Sequence, residues 1–274
     1  MTHALLASLT CITATLLSAQ SATMPPPPLM MLVREDVKPG RGAAHAASEA
    51  AWTRALIKGK SSDHYLGMTS MTGASEAWFI MGYGSYAEWE AKQAEFDGNP
   101  ALKKEVEKIS QQDGDLLTGT RTFLGALRKD LSFGPDVEIG KMRYFRIRTF
   151  RIRQGQNEAF EGGMKQAIAG YGKSGYPFSF ACYEVAAGSS APTYIILRPM
   201  KSLAQLDQQA DADKAFQAAM GEEALKGMRK VFTDTVQSVE NQLLSFSPKL
   251  SFPGPSTLAS DPAFWTVKPD KPAK

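Results

Sequence analysis

Reactive side chains are few in this chain: three histidines and two cysteines in 274 residues. The most pointed spacing lies in Tyr144-Phe145-Arg146-Ile147-Arg148-Thr149-Phe150, where Tyr144, Arg146 and Arg148 recur at every second position. An extended strand puts such residues on one face. Two guanidiniums on one face form a fork-shaped donor set suited to a carboxylate or phosphate, and Glu35 or Glu184 could instead supply the counter-charge internally. His64, beside Tyr65 at the start of a strand, could act as a general acid/base or contact a ligand. Trp78, Tyr183 and Tyr194 offer an aromatic face or a hydroxyl from other strands.

Other chemistry is poorly supported. His45 sits in an Ala-rich helix and reads as a packing or surface residue. Two histidines with no carboxylates at ligand spacing predict no metal site. Gly82-Tyr83-Gly84 and Gly170-Tyr171-Gly172 lack the third glycine and the strand-to-helix setting of a dinucleotide fingerprint. No Ser-His-Asp, paired-carboxylate or P-loop pattern stands out. Thirty-one basic against 28 acidic residues give a net charge of only +3, so no nucleic-acid partner is expected.

The positioning elements come from the order of the chain. Ala4 to Ala19 is an apolar stretch too short to span a bilayer comfortably, followed by small residues, and reads as a signal-peptide core. Residues 1–22 are thus expected as a cleaved leader of a secreted or periplasmic protein with no membrane partner afterwards. Cleavage would remove Cys11 and leave Cys182 as a lone thiol, read as a buried hydrophobe. Residues 23–28 read as a proline-rich spacer and 253–274 as a proline-rich tail with Phe264-Trp265 as its apolar anchor.

Between these ends the chain repeats itself. Val37 to Arg41 aligns with Ile152 to Gln156 at an offset of 115, Ser85 to Trp89 with Ser202 to Leu206 at 117, and Leu131 to Phe133 with Leu250 to Phe252 at 119. Residues 29–136 and 141–252 each read as strand, helix, two strands, helix, strand, the β-α-β-β-α-β order of a ferredoxin-like unit. In the first copy Ser85 and Glu88 form a capping box, and Asn99-Pro100 breaks the second helix. One such sheet leaves an apolar face bare, and a second identical sheet covers it economically. The predicted fold class is therefore α+β: two tandem ferredoxin-like units forming an intramolecular barrel, a pseudo-dimer that leaves higher oligomers open. With the apolar parity assigned to the helices, Tyr144, Arg146 and Arg148 are expected to face the barrel interior.

Phe145 to Gly155 resembles the opening strand of NIPSNAP-type domains, and the element order is similar to the wider dimeric α+β barrel superfamily. That superfamily includes antibiotic-biosynthesis monooxygenases, stress-responsive barrel proteins and haem-degrading monooxygenases. The haem-degrading members imply an iron-binding histidine on the second helix, but residues 85–112 and 202–235 contain none, so no cofactor is expected. The cofactor-independent monooxygenases imply Asn, Trp and His around an aromatic substrate; Asn99, Asn157 and Asn241 do not reproduce that set. The expected function is binding of a small anionic or aromatic ligand in an asymmetric barrel cavity lined by Tyr144, Arg146, Arg148, Tyr183, Tyr194, His64, Trp78 and Glu35. The alternatives are a monooxygenase-like or haem-related enzyme and a structural protein with a filled barrel. Whether the chain is an enzyme stays open.

Overall fold

The structure is a computed structural model that describes residues 23–267, so the expected leader over 1–22 lies outside the described residues. Its first set of elements is β1 (Leu29–Val37), α1 (Gly42–Lys58), β2 (Leu66–Ser70), β3 (Glu76–Tyr83), α2 (Tyr86–Asp97), α3 (Pro100–Gly114) and β4 (Leu117–Leu127). The second set is β5 (Tyr144–Ile152), α4 (Asn157–Ser174), β6 (Ala181–Ala187), β7 (Thr193–Met200), α5 (Ala204–Asp207), α6 (Gln209–Met220), α7 (Glu222–Thr235) and β8 (Val236–Phe246). Two short helices follow, α8 (Pro255–Ser260) and α9 (Pro262–Trp265).

Local chemistry sets several boundaries. Gly40 and Gly155 both take φ of +76°, the left-handed conformation that turns each opening strand into its helix. Ser85 Oγ accepts from the Glu88 N–H at 3.1 Å, while Glu88 reaches one residue further back than a strict capping box, to the Gly84 N–H at 2.7 Å. Asn99 Oδ1 accepts from the Leu102 N–H, and Pro100 occupies the first turn, so α3 starts afresh where α2 stops.

The eight strands form one closed barrel in the order β1-β3-β2-β8-β5-β7-β6-β4, with every neighbouring pair antiparallel. The two sets meet at β2 with β8 (Met68 opposite Phe246) and at β4 with β6 (Ala126 opposite Glu184). Closure leaves no strand edge unpaired along the barrel wall. This is a mixed α+β fold with its helices outside an eight-stranded barrel.

The two faces of β5 are the reverse of the expected ones. Phe145 and Ile147 join Met30, Leu32, Trp78 and Leu244 in the core inside the barrel. Phe150, of the same parity as Tyr144, Arg146 and Arg148, packs outward against Phe160 and Met164 of α4 and Phe232 of α7. The arginines therefore lie on the helix-facing side. The physical reason is closure: a sealed interior excludes water on all sides, whereas the helix layer leaves gaps at its rim where long aliphatic stems lie on apolar surface and charged heads reach out. Arg146, half-buried, reaches Gln209 of α6 at 3.5 Å, and Arg198 from β7 bonds the same amide oxygen.

At one end the barrel interior turns ionic. Arg34 donates to Glu76 at 2.6 Å and to Glu240 at 2.7 Å, Arg151 donates to Glu240 at 2.6 Å, and Trp78 Nε1 donates to Glu76 at 2.8 Å. Burial works to raise the Glu240 pKa, but the hydrogen bonds and charges of Arg34 and Arg151 outweigh it and hold the carboxyl at about 2. A carboxylate depressed by folding stabilises the protein above its unfolded pKa and loses that contribution as pH falls through its folded value. Glu240→Gln should cost about 2 kcal/mol in urea unfolding at pH 7, and the loss of stability from the ordinary pKa of 4.5 down to about 2 should be shallower than in the wild type.

Candidate functional site

The opposite end of the barrel is hollow. A cavity of about 660 Å³ opens among Met30, Leu66, Ile80, Phe145, Tyr183 and Leu197. Phe145 and Leu197 come from β5 and β7 on the interior parity, and Met30 and Ile80 are their counterparts on β1 and β3. Small residues make the room: Gly82, Ala181 and Gly134 line the same space.

The segments expected as spacer and tail both close this mouth. Pro25, Pro26 and Pro27 run across it, and the Tyr183 hydroxyl donates to the Pro27 carbonyl at 3.0 Å. Gly82 is what lets this strap lie flat, since a Cβ there would come within 2.6 Å of Pro27. On the other side Ser256 and Thr257 of α8 line the wall. Trp265 fixes that wall: it is 2% exposed, and its Nε1 donates to the Gly140 carbonyl at 2.7 Å. Arg143 lies 3.9 Å from the centre of the Phe264 ring and pairs with Asp261.

His64 lines the cavity, as do Lys129 and Asp136. The His64 ring lies 4.5 Å from that of Phe252, and its Nδ1 is buried without a well-aligned partner, the Phe252 backbone being the polar group nearest the ring. Burial lowers its pKa from the ordinary 6.5 against the opposing pull of the Phe252 backbone and Asp63, which favours the neutral imidazole. Asp63 next to it accepts from the Tyr83 hydroxyl at 3.1 Å, and burial raises that carboxyl above its usual range. Cys182 faces away from the cavity toward α4, with its thiol pushed up to about 12 by burial, and is no nucleophile.

Of the eight residues picked out by sequence, His64 and Tyr183 line the cavity. Trp78 lies deeper in the barrel core, tied to Glu76. The other five are outside. Tyr144, Arg146 and Arg148 share the helix-facing parity of β5. Tyr194 packs on Phe160 and donates to Glu161 of α4 at 2.7 Å. Glu35 lies under α1, where His45 Nε2 meets its Oε2 at 2.8 Å. The expected partner of the arginines, Glu184, pairs with Arg128 instead, at 2.8 Å.

His45 corrects a second expectation. It is 2% exposed and stands among three carboxylates, Glu35, Glu49 and Asp113, whose ligand atoms and its own lie within 4.8 Å of one another. Burial first, then the charges of Glu35 and Asp113, raise the Glu49 pKa to about 9. The four-residue spacing of His45 and Glu49 on one helix was the visible signal. Asp113 arrives from α3, which no local pattern announces.

No protein-family model matches the chain, and no curated protein matches it in sequence. Solved structures do share its architecture. A monooxygenase-like protein from Fusobacterium nucleatum subsp. nucleatum superposes with a TM-score of 0.51 at 8% identity, covering 81% of this chain and 94% of that one. A mutant chlorite dismutase from Candidatus Nitrospira defluvii gives 0.50 at 9% identity, covering 83% and 94%. The fold is of the dimeric α+β barrel type. At these identities the likeness concerns the fold alone, and the chemistry must be argued from the cavity.

The strap depends on one side chain more than any other. Tyr183→Phe should lower the melting temperature by about 2–4 °C, the loss of one hydrogen bond in a chain of this size. It should also speed proteolytic trimming ahead of Leu29, read by mass spectrometry after limited digestion.

Proposed function

We propose that this is an exported barrel protein, built from two tandem ferredoxin-like units, that encloses a small, flat, mainly apolar ligand at the hollow end of its barrel. The cavity carries the proposal: about 660 Å³ walled largely by aliphatic and aromatic side chains, with His64 and Tyr183 as orienting polar groups. That volume lies within the range of roughly 300–1,000 Å³ typical of small-molecule sites. The tandem arrangement is supported by β1 and β5 having nine residues each, by an irregularity before the last residue of both, and by the paired glycine turns. Export is supported by the leader pattern over residues 4–19. Arg146 and Arg148 stand on the other face of the sheet, so an anionic group in the cavity would have Lys129 at its lining in place of the arginines.

A hydroxylated naphthalene tests this. 2-Naphthol should raise the melting temperature of the wild type, and Ala181→Phe, which fills the cavity from β6, should abolish the shift. Arg148→Ala should leave it unchanged. Stabilisation by acetate or inorganic phosphate that disappears in Arg148→Ala would instead restore the anion reading.

A second reading, oxidation of a phenolic ligand by O₂ without a cofactor, rests on His64. The imidazole in the cavity wall can take the phenolic proton, and the phenolic ring then gives up its electrons to O₂, one oxygen atom entering the ring as a quinone carbonyl and the other leaving as water with the two hydrogens lost. Oxygen uptake with the bound naphthol, lost in His64→Gln, would support it. Binding with no uptake leaves a carrier or sensor.

A further inference from the structure

On the outer face of β1, beneath α1 and α3, four side chains from three elements converge on one point. His45 Nε2 lies 2.8 Å from Glu35 Oε2, 3.9 Å from Glu49 Oε1 and 3.8 Å from Asp113 Oδ2. The side chains of His45, Glu49 and Asp113 are each more than nine-tenths buried. The Glu49 carboxyl points at the imidazole yet makes no hydrogen bond among the described residues, and Asp113, whose Oδ1 is buried without a well-aligned partner, has the Ser48 hydroxyl of α1 as its one other polar neighbour. No Lys or Arg among the described residues pairs with any of the three carboxylates. Burial and its carboxylate neighbours hold Glu49 protonated at neutral pH, and Glu35 and Asp113 still share a single imidazole in a site that no Lys or Arg among the described residues enters.

The second half of the barrel shows that the fold does not need polar groups here. β5 and α4 match β1 and α1 position for position at the offset of 115, and β8 matches β4 at 119. Glu35, His45, Glu49 and Asp113 correspond to Phe150, Phe160, Met164 and Phe232. Those four pack as one apolar cluster, with Phe160 at 5.6 Å from both Phe150 and Phe232. Replacing buried ionic groups with well-packed apolar ones is commonly neutral or stabilising. The polar set is therefore costly for the first half, and something must offset it.

We propose that Glu35, His45, Glu49 and Asp113 bind one divalent first-row transition-metal ion of the Zn²⁺ or Mn²⁺ class. Ligand atoms about 2.0–2.2 Å from such an ion lie roughly 3–4.4 Å from one another, so the present 4.8 Å envelope needs a contraction of under about 1 Å. One imidazole with three carboxylates suits a borderline ion, lacking the thiolates that select copper(I) and carrying a nitrogen that calcium and magnesium sites do not favour. Entry of the ion breaks the His45–Glu35 hydrogen bond: Nε2 turns its lone pair to the metal, and the proton held between the two and the proton carried by Glu49 both leave to solvent. Three elements, β1, α1 and α3, would be tied together. The site is separate from the barrel cavity and stands whether or not that cavity takes an aromatic ligand.

The purified full chain, stripped with EDTA and moved to metal-free buffer, should take up one equivalent of Zn²⁺ or Mn²⁺ in calorimetric titration. At a free ion concentration about a hundred times Kd the melting temperature should rise by more than about 5 °C. Mg²⁺ and Ca²⁺ should bind at least about tenfold more weakly. Glu49→Gln should weaken Zn²⁺ about tenfold or more, and the pair His45→Phe with Glu49→Met, which copies the apolar second half, should fold and bind none. Should that pair fail to show a native circular dichroism spectrum, Asp113→Asn takes its place. Less than half an equivalent bound by the wild type, or variants that bind like the wild type, would overturn the proposal.

Discussion

Each four-stranded sheet has one strongly apolar face, and the two faces cover each other. The seams where β2 meets β8 and β4 meets β6 turn two open sheets into a wall without edges. Burial of Leu32, Met68, Trp78, Ile147, Ile195 and Leu244 inside that wall is the main apolar contribution at the centre. Everything else is arranged around this contact. Since the middle is filled by side chains, function is confined to the ends and to the outer face under the helices.

The two ends are solved differently. At one, polar groups enter the barrel and are neutralised there by the Arg34, Glu76, Glu240 and Arg151 network. At the other, small residues leave a hollow, and the chain covers it with its own ends. The proline strap brings no backbone N–H groups that would need partners, so it can cross an apolar opening at little desolvation cost. The Trp265 anchor gives α8 a fixed place on the opposite wall.

Much of this was legible in the sequence, and the limits have physical causes. Strand and helix periodicities, the Gly40 and Gly155 turns and the Ser85 cap are local, and they placed the elements to within a few residues. The face of β5 was not local. Its residues alternate between arginine and apolar side chains, both parities contain aromatics, and only closure of the barrel decides which side is sealed. Glu35 was chosen for a cavity it does not reach for the same reason, a one-residue change of face. The His45 cluster needed Asp113, 68 positions further along, to become visible. The cover of the cavity needed a strap and a tail whose compositions suggest spacers and whose roles come from packing.

The halves also diverge in what they hold. The first places Trp78 in the core and charged groups under α1, where the second has Ile195 and an aromatic cluster. The central claim is that the hollow end of the barrel, and not the arginine-bearing outer face, is where a ligand sits. A crystal structure of the protein soaked with 6-bromo-2-naphthol tests it most directly, because anomalous scattering locates the bromine without interpretation of weak density. The account predicts one bromine peak enclosed by Met30, Phe145 and Tyr183 beneath the proline strap. A peak against Arg146 and Arg148 beside α6, with the barrel mouth free of bromine, would contradict it.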